Sequence, residues 1–176
     1  MRMPGRVSAA IEILTDIFVR HRPASEALRD WGKSHRFAGG GDRHAIGTLV
    51  YDALRKKASA ANRMGSDAPR ALVLATLRTQ WNLGVDEINA LSIGEHAPSA
   101  LNDEERKALQ RDVSNAPIWI AADIPQWLEP HYTRAFGGDA AAQGASLATA
   151  ADPLAQRQDA RRETSDGESR QENAGR

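Results

Sequence analysis

The sequence predicts an all-α protein, a helical bundle, and three observations carry that prediction. Apolar residues recur at i, i+3, i+4 and i+7 through most of the chain up to Leu109, the spacing of a stripe along one helical face. Prolines and glycines fall between these stripes, with Pro4, Pro23 and Pro69 near starts and Gly32, Gly65 and Gly84 near ends. No stretch in that region alternates apolar with polar residues at the period of two that a half-buried strand needs.

Taken in order, Val7, Ala10, Ile11, Leu14, Ile17 and Phe18 form the stripe of a first helix, expected from Pro4 to His21. Arg22-Pro23 interrupts it, and Pro23 suits the opening of a second, shorter helix carrying Ala27, Leu28 and Trp31, which Gly32 is expected to end. Arg36 and Phe37 then lie in a loop, with Phe37 expected as a core anchor because no other aromatic residue is interleaved beside it. Gly39, Gly40 and Gly41 lead to a third helix. Asp42 is expected at its start, where a carboxylate can accept from the free amides of a first turn. Ile46, Leu49, Val50, Ala53 and Leu54 give that helix its apolar stripe, and its last turn carries Arg55, Lys56 and Lys57. Three cations there either complement the helix macrodipole or seek phosphate.

A small mixed segment from Ser59 to Met64 is followed by a break at Gly65-Ser66-Asp67 and a new helix from Pro69. Ala71 to Leu77 is apolar nearly all round, which predicts a helix surrounded by others at the centre of the bundle. Trp81 extends it and Gly84 stops it. Asp86 and Glu87 then open a short helix through Leu91, and Asn102 and Glu105 have capping-box spacing ahead of Ala108 and Leu109. From Asn115 the texture changes. Ala116-Pro117-Ile118-Trp119-Ile120 is too apolar for a linker and predicts docking, and Asp123-Ile124-Pro125-Gln126-Trp127-Leu128 opens another helix running towards Phe136. An alanine-rich segment follows Gly137-Gly138. From Asp152 to Arg176 the only large apolar residue is Leu154, too little to offset the entropy of ordering, so that tail is expected to be disordered.

A chain of 176 residues is long enough for one sizeable core. No apolar run is long enough for a membrane span, and no signal peptide is read in the basic start, because Glu12 and Asp16 interrupt the apolar segment after it. The absence of cysteine excludes disulfides, thiolate metal sites and a cysteine nucleophile, and fits a reducing compartment; a cytoplasmic location is expected. Formal neutrality conceals an uneven distribution. Residues 1 to 63 hold twelve Lys or Arg against six Asp or Glu, and residues 64 to 176 hold eleven against seventeen, so +6 faces −6. A surplus of that size on a small helical unit favours polyanionic partners, although ordinary helical surfaces also carry it.

Other chemistries find no candidate. His21, His35 and His44 lack metal-ligand spacing, so they read as ordinary helical or loop histidines. Gly39-Gly40-Gly41-Asp42 is a turn, since no Gly-Lys-Ser or Gly-Lys-Thr follows it, and no Gly-x-Ser-x-Gly elbow offers a hydrolase nucleophile. Trp31, Trp81, Trp119 and Trp127 have apolar neighbours and are expected as packing anchors.

The run Asp42-Arg43, Leu49-Val50-Tyr51 and Leu54-Arg55, preceded by a basic amphipathic helix, resembles the NusB-like RNA-binding fold. Asp123-Ile124-Pro125-Gln126-Trp127-Leu128, with Phe136-Gly137 after it, is similar to the segment that opens the catalytic part of the RsmB/Sun family of ribosomal-RNA cytosine-C5 methyltransferases. In that family a NusB-like domain precedes a Rossmann-like domain that uses S-adenosylmethionine. The resemblance therefore implies a NusB-like domain over residues 1–114, a connector over 115–150 resembling the start of the methyltransferase region, and ribosomal RNA as the partner. It stops there. The strand, glycine-rich cofactor loop and cysteines that follow in the family have no counterpart, and the sequence reads Asp152-Pro153-Leu154-Ala155 where the strand would begin. Cytosine C5 methylation needs a thiolate to add to C6, so a chain without cysteine lacks that route. The expectation is a reading frame interrupted near residue 150, with residues 151–176 an out-of-frame tail and no cofactor bound by this chain.

The function so implied is RNA binding without catalysis. Candidate phosphate contacts are Arg2, Arg6, Arg20, Arg22, Lys33, Arg36, Arg43, Arg55, Lys56, Lys57 and Arg63, with Arg43 equally suited to a structural role at its helix start. A NusB-type transcription antitermination factor and a helical module that docks an acidic protein are the alternatives. The first leaves the Pro125-Trp127-Leu128 segment without a use.

Overall fold

The structure, a computed structural model, describes residues 1–149, and all regular elements among them are helical. Ten α-helices follow one another: α1 (Met3–Arg20), α2 (Ala24–Ser34), α3 (Gly40–Arg55), α4 (Lys57–Met64), α5 (Pro69–Thr79), α6 (Val85–Ala90), α7 (Asp103–Leu109), α8 (Ile118–Ala121), α9 (Glu129–Phe136) and α10 (Ala140–Thr149). Short 3-10 turns at Gln126–Leu128 and Gly137–Asp139 flank α9. The expected tail from 151 to 176 lies outside the described residues.

The helix that is apolar all round is the centre. Every residue of α5 from Ala71 to Leu77 is buried, and the one hydroxyl among them, Thr76 Oγ1, donates to the Leu72 carbonyl at 2.8 Å, so burial leaves it satisfied. Against α5 pack the stripes of α1 (Val7, Ala10, Ile13, Leu14) and α3 (Ile46, Leu49, Val50, Ala53). These three helices enclose the core. α2 lies across α1 and α3, while α4, α6 and α7 pack on α5. The Asn102 capping box forms as its spacing implies, with Glu105 N–H bonding Asn102 at 2.7 Å and Asn102 N–H bonding Glu105 at 3.0 Å.

Several local expectations are corrected. Gly32 does not end α2, which continues to Ser34 and closes with the His35 N–H on the Trp31 carbonyl at 2.9 Å. Asp42 does not cap α3 from outside. The helix begins at Gly40, and the Asp42 carboxylate reaches back to the Gly39 N–H at 3.3 Å from the first turn. It also accepts from the Met1 ammonium at 2.9 Å and from Arg6 Nε at 3.0 Å, which ties the start of α1 to the start of α3. These cations, the ammonium first, hold Asp42 below the usual carboxylate range. Phe37 is 70% exposed, because the turn after α2 directs Ala38 into the core in its place. Trp127, also expected as an anchor, is 70% exposed; Trp31 is buried and Trp81 and Trp119 are half-buried.

The segment from Asn115 docks, and one residue explains how. The backbone of Asp123 is left-handed, with φ of 52°, and its carboxylate is 3% exposed beneath the start of α4. It accepts from the Ser59 N–H at 2.8 Å and from Ser59 Oγ at 2.8 Å, with the Lys56 ammonium 3.8 Å away. Lys56 Nζ in turn donates to the Ala145 carbonyl of α10 at 3.2 Å. α8 and α10 cross so closely that a Cβ on Gly144 would stand 2.4 Å from the Ala122 Cβ. Only glycine fits there.

Candidate nucleic-acid interface

The eleven cations named from the sequence do not form one surface. Most are held by carboxylates or carbonyls of the chain itself. Arg6 is bound to Asp42, Arg20 to Asp16 at 3.0 Å, and Arg22 to both Asp16 and Asp30. The bond from Arg22 takes Asp30 down to about 2, and the bond to Asp30 raises the Arg22 guanidinium. Lys33 reaches Asp30 at 3.4 Å and Arg29 reaches it at 3.5 Å, and Arg55 pairs with Asp52 at 2.7 Å. Lys57 lies 3.8 Å from Asp67 and 4.7 Å over the Phe18 ring. Lys56 is buried. Arg63 donates to the Leu109 and Arg111 carbonyls, at 3.4 and 2.7 Å, and joins α4 to the end of α7; burial lowers its pKa. The three cations at the end of α3 therefore divide between a helix-end pair, a buried tie to α10 and an exposed ammonium.

What the structure brings together lies at the other end of α3. Arg43 donates from Nε to the Ala38 carbonyl at 2.9 Å, which fixes the turn before the helix and leaves its side chain along the groove between α2 and α3. The bond that fixes the turn therefore does not withdraw the side chain from the groove. That groove, about 350 Å³, is lined by Arg29 from α2 and by Arg43, His44, Thr48 and Tyr51 from α3, with no carboxylate in its lining. Arg36 is exposed in the turn beyond α2. Arg29, His44, Thr48 and Tyr51 are additions to the sequence reading. For the α3 residues the signal was present in the spacing: Arg43, Gly47 and Tyr51 stand at i, i+4 and i+8, and His44 and Thr48 at i and i+4, on faces turned away from the apolar stripe, whereas nothing in the spacing singled out Arg29 on α2.

A second groove opens on the other flank of α2, where Arg2 of the chain start meets the turn after α2 and the loop around Ile93. Trp31 lines both grooves. The His35 ring stacks on Trp31 with centroids 4.2 Å apart and 11° between planes, and Phe37 meets His35 edge-on at 5.7 Å.

Among the described residues no group of three His, Cys, Asp or Glu could hold a metal ion, and no helix is long and apolar enough to cross a membrane. The sequence has no cysteine, so the chain does not supply the thiolate that cytosine C5 methylation requires. Comparison of the chain with protein-family models, with characterised proteins and with solved structures returns no match.

Proposed function

We propose that this chain is an RNA-binding helical domain of the kind that precedes the catalytic domain in ribosomal-RNA cytosine-C5 methyltransferases, and that it binds without transferring a methyl group. The observation that carries the reading is the α2–α3 groove, where Arg29, Arg43 and His44 converge with no carboxylate in the lining. Guanidinium groups along a groove that no carboxylate lines attract phosphate, and Arg29, which also reaches Asp30 at 3.5 Å, keeps 61% of its side chain exposed. Arg36 and Arg2, both exposed, extend the positive field towards the chain start.

The test is the salt dependence of binding to single-stranded ribosomal-RNA fragments. Each lost phosphate contact flattens the log–log slope by about 0.7 on single strands. R29A/R43A is expected to weaken binding and flatten the slope by about 1.4 in total, while K56A leaves the slope unchanged. An unchanged slope in R29A/R43A removes this groove from the interface. With S-adenosylmethionine and undermodified ribosomes no transfer is expected, and turnover by the isolated chain would overturn the reading. The second reading, a protein-docking module, is favoured by exposed Trp127 and Phe136, and a pull-down against an RNA gel shift separates the two.

A further inference from the structure

The groove on the far flank of α2 is about 860 Å³, within the range of roughly 300–1,000 Å³ typical of small-molecule sites. Its chemistry differs from that of the α2–α3 groove. Phe37 and Ile93, 70% and 75% exposed, line it with large apolar surfaces that no core element covers. Phe37 is nevertheless positioned, because its edge rests on the His35 ring and His35 is fixed by its stack on Trp31 and by the 2.9 Å contact between Nδ1 and the Trp31 carbonyl. An exposed aromatic ring held in place is a stacking platform.

Two carboxylates, Glu12 and Glu95, also line the groove. They would repel a phosphate placed there. Glu12 is steered by the Trp31 indole, whose Nε1 donates to it at 3.2 Å, and a carboxylate has about four acceptor positions, so that bond leaves others for a ligand. The ligand that satisfies both features is flat, aromatic and rich in donors along one edge. Among nucleobases guanine alone presents an N1–H and an N2–H side by side, matched to the two oxygens of one carboxylate. Arg2 in the lining, with exposed Arg36 next to Phe37 in the chain, supplies positive charge for the flanking phosphates of such a nucleotide and disfavours a cationic peptide side chain as the occupant.

We propose that this groove binds an unpaired guanine base of single-stranded RNA, stacked on Phe37 and hydrogen-bonded to Glu12. The inference rests on the RNA-binding reading above and adds to it a base-specific site. Trp31, buried beneath α2, borders both grooves, so the two sites lie on opposite flanks of the same helix.

Fluorescence anisotropy of the full chain with labelled uridine oligomers carrying one central guanosine, adenosine or inosine tests it. Inosine keeps N1–H and lacks the amino group. Wild type is expected to bind the guanosine oligomer about tenfold more tightly than either of the others. F37A, at an exposed position that should leave the melting temperature unchanged, is expected to weaken the guanosine oligomer about tenfold. E12Q is expected to abolish the preference for guanosine over inosine while retaining the salt-dependent background. Equal binding of all three oligomers overturns the base site and leaves the RNA-binding reading standing. No binding of any oligomer, even in dilute buffer, overturns both. Competition by an arginine-rich peptide that is lost in F37A, with no guanosine preference, assigns the groove to a protein partner instead.

Discussion

At the scale of single residues, Asp123 shows how a charged side chain can be made to hold an element in place. Burial pushes its pKa above the usual carboxylate value, and the Ser59 bonds and Lys56 pull it only part of the way back. A carboxyl whose folded pKa is raised binds a proton more readily in the folded chain than in the unfolded one. Its contribution to stability is therefore fully present below about 3.9 and is lost as pH rises through the raised value. D123N keeps an acceptor for Ser59, tolerates the left-handed backbone, and carries no charge to desolvate. Its stability relative to wild type is expected to improve as pH rises from about 4 to about 7 in thermal melts. D123A leaves the Ser59 N–H without its partner and is expected to cost about 1–3 kcal/mol.

At the scale of elements, the sequence announced where helices lie better than where they stop. The α1, α3 and α5 stripes name the core directly, because burying one face of a helix imposes a periodicity that composition cannot hide. Gly32 misled because a glycine weakens a helix only modestly, and a helix packed along its length carries that penalty. Phe37 misled for a different reason: periodicity ends with the helix, and nothing in the loop chooses between turning Phe37 or its neighbour Ala38 inward. The crossing of α8 and α10 was not legible at all, since it depends on an approach between residues far apart in the chain. Its requirement is checkable. G144A forces a methyl group into the Ala122 side chain and is expected to destabilise the chain by about 1–3 kcal/mol, read as a lower urea midpoint.

At the scale of the whole molecule, the surplus of cations in the first 63 residues was visible, but the identity of the available ones was not. A count of charges cannot tell Arg22, clasped by two aspartates, from Arg43, which stabilises a turn and still lines a groove. The same holds for the division expected after residue 114. α4 packs against α7 on one side and α8 on the other, so cutting there exposes Ser59 and leaves the buried Lys56 ammonium without its carboxylate. A fragment of residues 1–114 is expected to melt below the full chain, by several degrees in calorimetry. Unchanged melting would show that the segment after Asn115 contributes nothing to the bundle. α3 joins these regions: Arg43 and His44 stand at its first turns and Lys56 directly follows its last residue, about 20 Å away at 1.5 Å per residue. Thermodynamic reciprocity then sets a rule for this one rod. Whatever free energy a ligand bound at its head lends to the clamp at its foot, the clamp returns in the same amount to the affinity for that ligand.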